Sequence, residues 1–114
     1  MDQRLSDALA FANYRLTLQI QRQNILARVE TALLVSHQSA VFRASPELIA
    51  FVGLMTIRDD DLYVDDNSGN CHRIEDKNQF LDLLVKSYNN ANKIKLEEQQ
   101  KLKSARTTAK IVGL

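Results

Sequence analysis

From Asp2 to Val35 the chain contains no Gly or Pro, and its apolar residues recur at helical intervals. Leu5, Leu9, Ala12, Leu16 and Ile20 follow spacings of 4, 3, 4 and 4, while Phe11, Tyr14, Leu18, Ile25, Val29 and Ala32 follow 3, 4, 7, 4 and 3. With Leu, Ala, Gln and Arg dominating, the pattern predicts one long helix of about 50 Å. Two apolar stripes imply two sets of neighbours. The alternation Leu16-Thr17-Leu18-Gln19-Ile20-Gln21 has the period of a strand, but it lies in unbroken helical context without flanking turn residues.

After this helix, Ser36 to Ala44 reads as a connection holding a short extended piece at Val41-Phe42-Arg43. Ser45-Pro46-Glu47 then carries three helix-start signals: an N-cap serine, a proline at the first helical position and an acid in the first turn. The run Leu48 to Met55 is apolar nearly all round, which predicts a short helix at the centre of the core. Leu62-Tyr63-Val64, a turn over Asp65 to Asn70, and His72-Arg73-Ile74 predict a β-hairpin. Asp76, with Gln79 three residues later, caps a second long helix whose apolar face is Phe80, Leu84, Tyr88, Ala91 and Ile94. Beyond Ile94 the stripe thins, so residues 100–114 read as a solvated helical or flexible tail. The expected fold is a mainly α (α+β) single domain over residues 1–114: long N-terminal helix, short buried helix, one β-hairpin, long C-terminal helix.

Length and composition sharpen this picture by exclusion. A chain of 114 residues with 45% hydrophobic residues suffices for one domain with a real core but not for a spacious catalytic cleft. Its three glycines, at 53, 69 and 113, are too scattered to cradle phosphates as a P-loop or dinucleotide fingerprint does. One cysteine allows neither an internal disulfide nor a multi-cysteine zinc site. No apolar run approaches the roughly 20 residues of a membrane span, and no secretory signal pattern opens the chain. A reduced, cytoplasmic protein with no membrane association is expected.

The acidic middle is the first place to look for chemistry. Asp65-x-Asn67-x-Gly69 has the opening rhythm of a calcium loop, but its glycine falls at position five rather than six and Asp76 stands where a bidentate Glu belongs. A solvated turn with acids near a helix start is the simpler account. Cys71-His72 could begin a zinc site, yet only His37 remains as a partner, and neighbouring strand residues point to opposite faces. Nucleophilic catalysis lacks an evident base and orienting group. The chain therefore reads as non-enzymatic, with no cofactor and no metal.

Net charge is +1, but it is divided: residues 1–43 carry +2, residues 44–82 carry −6 and residues 83–114 carry +5. In the last segment Lys95, Gln99, Lys103, Arg106 and Lys110 recur at 4, 4, 3 and 4, one face of a helix; Arg15, Gln19 and Arg22 do likewise in the first. Rows of Lys, Arg and Gln can follow phosphates and touch base edges, so these eight residues are the candidate DNA- or RNA-binding set. Against this, charged helix faces are often simply solvated, Glu97 and Lys101 are spaced as an ordinary ion pair, and Asp65 and Asp66 would repel phosphates from the hairpin. Phe11, Tyr14 and Tyr88 have the character of stacking platforms, although each also fits a core stripe.

The alternative is assembly. A long helix with two apolar stripes has more sticky surface than one short helix and a hairpin can cover, which predicts a homodimer or a partner helix. The wording Asn13-Tyr14-Arg15-Leu16-Thr17-Leu18, Pro46-Glu47-Leu48-Ile49-Ala50-Phe51-Val52, Asp65-Asp66-Asn67, Arg73-Ile74-Glu75-Asp76 and Gln100-Lys101-Leu102-Lys103-Ser104-Ala105-Arg106 resembles small proteins of marine tailed phages with contractile tails, some of them associated with prohead assembly. That resemblance implies no catalytic residues and favours assembly or nucleic-acid association in an infected cell.

Overall fold

Asp2 is the first helix-forming signal: its carboxylate accepts from the Arg4 amide at 3.1 Å and starts α1, Gln3–Ala32. The structure, a computed structural model, describes residues 2–111, with side chains described through Ser104. α1 stops three residues earlier than the pattern predicts because Leu34 onward enters a strand.

Where a connection is expected, the chain instead forms an antiparallel hairpin, β1 Leu34–His37 with β2 Ala40–Arg43, in the register Val35↔Phe42 and His37↔Ala40. Its two-residue turn, Gln38-Ser39, has both φ angles positive, at 49° and 61°. Asn-Gly or Asp-Gly normally occupies such a turn. Here the strain at Gln38 is offset by its own amide, which donates to the Arg73 carbonyl and accepts from the Glu75 N–H, each at 2.9 Å.

α2, Pro46–Arg58, begins as expected, with Ser45 Oγ accepting from the Leu48 amide at 3.1 Å. It is not the centre of the core. Only Val52 is buried; Phe51, Leu54 and Ile57 face solvent, Ile57 at 85% exposure. α2 lies on the flank of α3, so one side is covered and the other meets water. The predicted second hairpin forms as β3 Leu62–Asp65 and β4 Cys71–Ile74, with Leu62, Val64 and Ile74 turned inward. In its turn Gly69 takes φ 88°, and Asp66 gathers the Ser68 and Asn70 amides at 2.8 and 3.0 Å. The two hairpins are separate sheets joined at their ends, by Gln38 on one side and by the Asn67 amide on the Val41 carbonyl at 2.7 Å on the other.

α3, Lys77–Ile111, starts with Asp76 accepting from the Gln79 amide at 3.0 Å. Phe80 and Leu84 are fully buried, and the Phe80 ring meets Phe42 edge-on at 5.0 Å. The centre of the core is therefore the Phe42–Phe80 pair, with Leu62, Leu84 and Val52 around it.

Together these elements make a packed head from which α1 and α3 run out side by side and antiparallel. Arg28 of α1 meets Glu98 of α3 at 2.8 Å; the same register brings Ala32 beside Ile94 and Ile25 beside Leu102. The molecule measures 71 × 25 × 18 Å, with a radius of gyration of 21.0 Å, against about 13 Å for a compact chain of this length. Of the two stripes on α1, Ile25, Val29 and Ala32 of the second pack on α3, while Leu5, Leu9, Leu16 and Ile20 of the first stay about half exposed on the opposite side. No helix among the described residues is long and apolar enough to cross a membrane.

Candidate nucleic-acid interface

The antiparallel register decides which charges meet. Because α1 and α3 touch along a narrow apolar seam, each side of the seam is a groove walled by one flank of each helix.

On one side Arg22 from α1 and Lys95, Gln99 and Lys103 from α3 wall a groove of about 490 Å³ floored by Ile25, Leu26, Val29 and Leu102. Four of the eight predicted residues, from helices some 70 positions apart in sequence, thus converge. No carboxylate lines this groove, and among the described residues neither Arg22 nor Lys95 enters a salt bridge. Arg15 and Gln19 do not line it, but they continue the Arg22 flank of α1 outward at spacings of 4 and 3. The side chains of Arg106 and Lys110 lie outside the described residues.

On the other side the lining is Gln21, Asn24, Arg28, Glu98 and Lys101 around Ile25 and Leu102. Here one acid offsets part of the positive charge. Glu98 accepts from Arg28 at 2.8 Å and from Lys101 at 3.5 Å, and the Arg28 hydrogen bond holds its carboxyl below the usual carboxylate range. The expected Glu97–Lys101 pair is not the one formed: Lys101 turns to Glu98, and Glu97 pairs weakly with Lys93 at 4.0 Å.

The aromatic candidates separate. Tyr88 is half-buried against the core, as its stripe predicts, and Tyr14 is half-buried on α1. Phe11 is 59% exposed, with the Arg15 guanidinium 5.8 Å above its ring. Phe11 belongs by spacing to the stripe that faces α3, but extending the Arg28–Glu98 register sets Ile111 beside Arg15. Phe11 therefore stands one turn past the described end of α3.

In the head, ionisable groups are engaged locally. His72 Nε2 lies 2.8 Å from Asp66, whose carboxyl is held low first by that hydrogen bond and then by the Asn70 and Ser68 amides. Cys71 is exposed on the opposite face, as strand alternation requires. The His37 ring packs against Phe80 at a 39° tilt with centroids 5.1 Å apart, and its buried Nε2 has no hydrogen-bond partner among the described residues. Among the described residues no three His, Cys, Asp or Glu side chains gather as a metal-ligand set.

The Lys95-Gln99-Lys103 row is visible in the sequence as a repeat of four. That Arg22 joins it, and that Leu26 and Leu102 floor the space between, depends on helix register and has no local signal. Comparison with protein-family models, with curated proteins and with solved structures finds no match.

Proposed function

We propose that the protein is a non-enzymatic nucleic-acid-binding module that uses the groove between α1 and α3. The observation that supports this most is the convergence of Arg22, Lys95, Gln99 and Lys103 on one groove with no carboxylate among its walls. Cations so placed attract phosphates, and the amide of Gln99 can donate to or accept from a base edge. The acidic middle of the chain keeps the head away from the polyanion, leaving the basic helices as the contact.

Titration of labelled DNA and RNA at low and physiological salt tests this directly. Affinity should fall steeply with salt, and a double variant Arg22→Gln, Lys95→Gln should weaken binding about tenfold or more with a shallower salt slope. Absence of binding by the wild type at low salt would overturn the proposal.

A second reading, assembly, draws on a different face. Leu5, Leu9, Leu16 and Ile20 are 52%, 50%, 55% and 47% exposed along one side of α1. A second copy of the chain laid on this stripe would cover it, in line with the resemblance to phage proteins associated with prohead assembly. Light scattering should then give twice the monomer mass, and Leu9→Gln with Leu16→Gln should return it to the monomer. A wild-type monomer across micromolar concentrations would remove this reading.

A further inference from the structure

We infer that the nucleic acid taken by this groove is single-stranded, and that the exposed ring of Phe11 is a platform on which one of its bases stacks. The inference rests on the nucleic-acid reading above and adds to it the form of the polymer and a contact residue outside the groove.

Three features carry it. First, the groove is not merely basic. Its lining includes Ile25, Leu26, Val29 and Leu102, and Leu26 is 59% exposed. A duplex presents phosphates outward and keeps the faces of its bases stacked inside, so it would touch the cationic rim and leave the floor wet. Bases of a single strand are flat and apolar-faced, and they cover such a floor while the phosphates reach Arg22 and Lys95. Second, the space is narrow. Packed helices lie about 8–10 Å apart, so the cleft between them has the width of one extended strand and not of the body of a duplex. Third, the aromatic ring stands on the line of the groove. Phe11, Arg15 and Arg22 are spaced 4 and 7 apart on α1, which keeps them on one side of the helix, about 16 Å from end to end. Phe11 itself is 59% exposed. Arg15 covers only one face of the ring, at 5.8 Å, and its own planar guanidinium extends the stack.

The probes are a labelled oligo-dT strand and a hairpin duplex with the same number of phosphates, titrated by fluorescence anisotropy against the full chain. The strand should bind more tightly than the duplex. Phe11→Ala should weaken strand binding about five- to a hundredfold while leaving the salt slope and duplex binding unchanged; Phe11→Trp should restore it. Circular dichroism of both variants should match the wild type, because the ring is exposed. If Phe11→Ala binds the strand like the wild type, or the duplex binds more tightly, the single-strand inference fails even where Arg22→Gln with Lys95→Gln shows that the cationic groove is used. If the wild type binds neither probe at low salt, both this inference and the reading beneath it fail.

Discussion

The two grooves beside the α1–α3 seam share a floor, since Ile25 and Leu102 line both, yet they differ in charge. On one side Arg28 and Lys101 share the single carboxylate of Glu98, which offsets one of their two positive charges. On the other, Arg22, Lys95 and Lys103 face one groove with no acid between them. The basic groove has the broader apolar lining, with Leu26 and Val29 added to the two shared residues, and no carboxylate among its walls. In an ordinary flank acids and bases intersperse and pair at i,i+4, as Asp82 and Lys86 do at 2.8 Å nearer the head.

Loosening the head should disturb both grooves at once, because α1 and α3 leave it side by side. Phe80→Ala removes a fully buried ring that packs on Phe42 and His37, and it should destabilise the fold by about 3–5 kcal/mol in denaturant titrations. Nucleic-acid affinity should fall with it, whichever groove is used. A change confined to charge separates the two sides. Arg22→Glu with Lys95→Glu should lower affinity about a hundredfold at low salt, while Arg28→Gln should change it less than threefold, since Arg28 is already committed to Glu98. Equal losses from the two sides would refute the distinction. A smaller effect tests what fixes the head geometry: Gln38→Ala deletes two hydrogen bonds that bridge the hairpins and should cost about 1–2 kcal/mol of stability with the groove charges intact.

Gln38 also marks where the sequence stops being readable. The Ser45 and Asp76 caps and the Gly69 turn were legible because their causes are local: a side-chain oxygen three residues from the amide it meets, or a glycine at positive φ. The first hairpin was not, because Gln38 and Ser39 are poor residues for such a turn by local rules and are held there by strand β4, more than 30 residues away. Nor could the all-round apolar α2 be recognised as half exposed, since exposure depends on what lies beside it; Ile57 and Val52 look alike in sequence and end at 85% and 0%. The candidate site divides the same way. Its α3 row follows from spacing, whereas its closure by Arg22 follows from the packing of Ile25 on Leu102 and the Arg28–Glu98 contact. Both stripes of α1 were visible, but not which of them α3 would cover.

The most delicate test converts one groove toward the other. Glu98 is the one acid of the second groove, and its carboxyl titrates below its usual range because Arg28 donates to it. A carboxyl whose folded pKa is depressed stabilises the fold above its unfolded pKa, and that contribution is lost as pH falls through the lower, folded value. The wild type should therefore melt slightly above Glu98→Gln at neutral pH, with the gap closing as pH falls below the ordinary carboxylate range. Removing the charge also leaves Arg28 and Lys101 without their acid, so at neutral pH and low salt Glu98→Gln should bind oligo-dT a few-fold more tightly than the wild type. The small loss in melting temperature and the gain in affinity must appear together. A variant that loses stability without gaining affinity would show that the second groove stays out of nucleic-acid contact for a reason other than its charge.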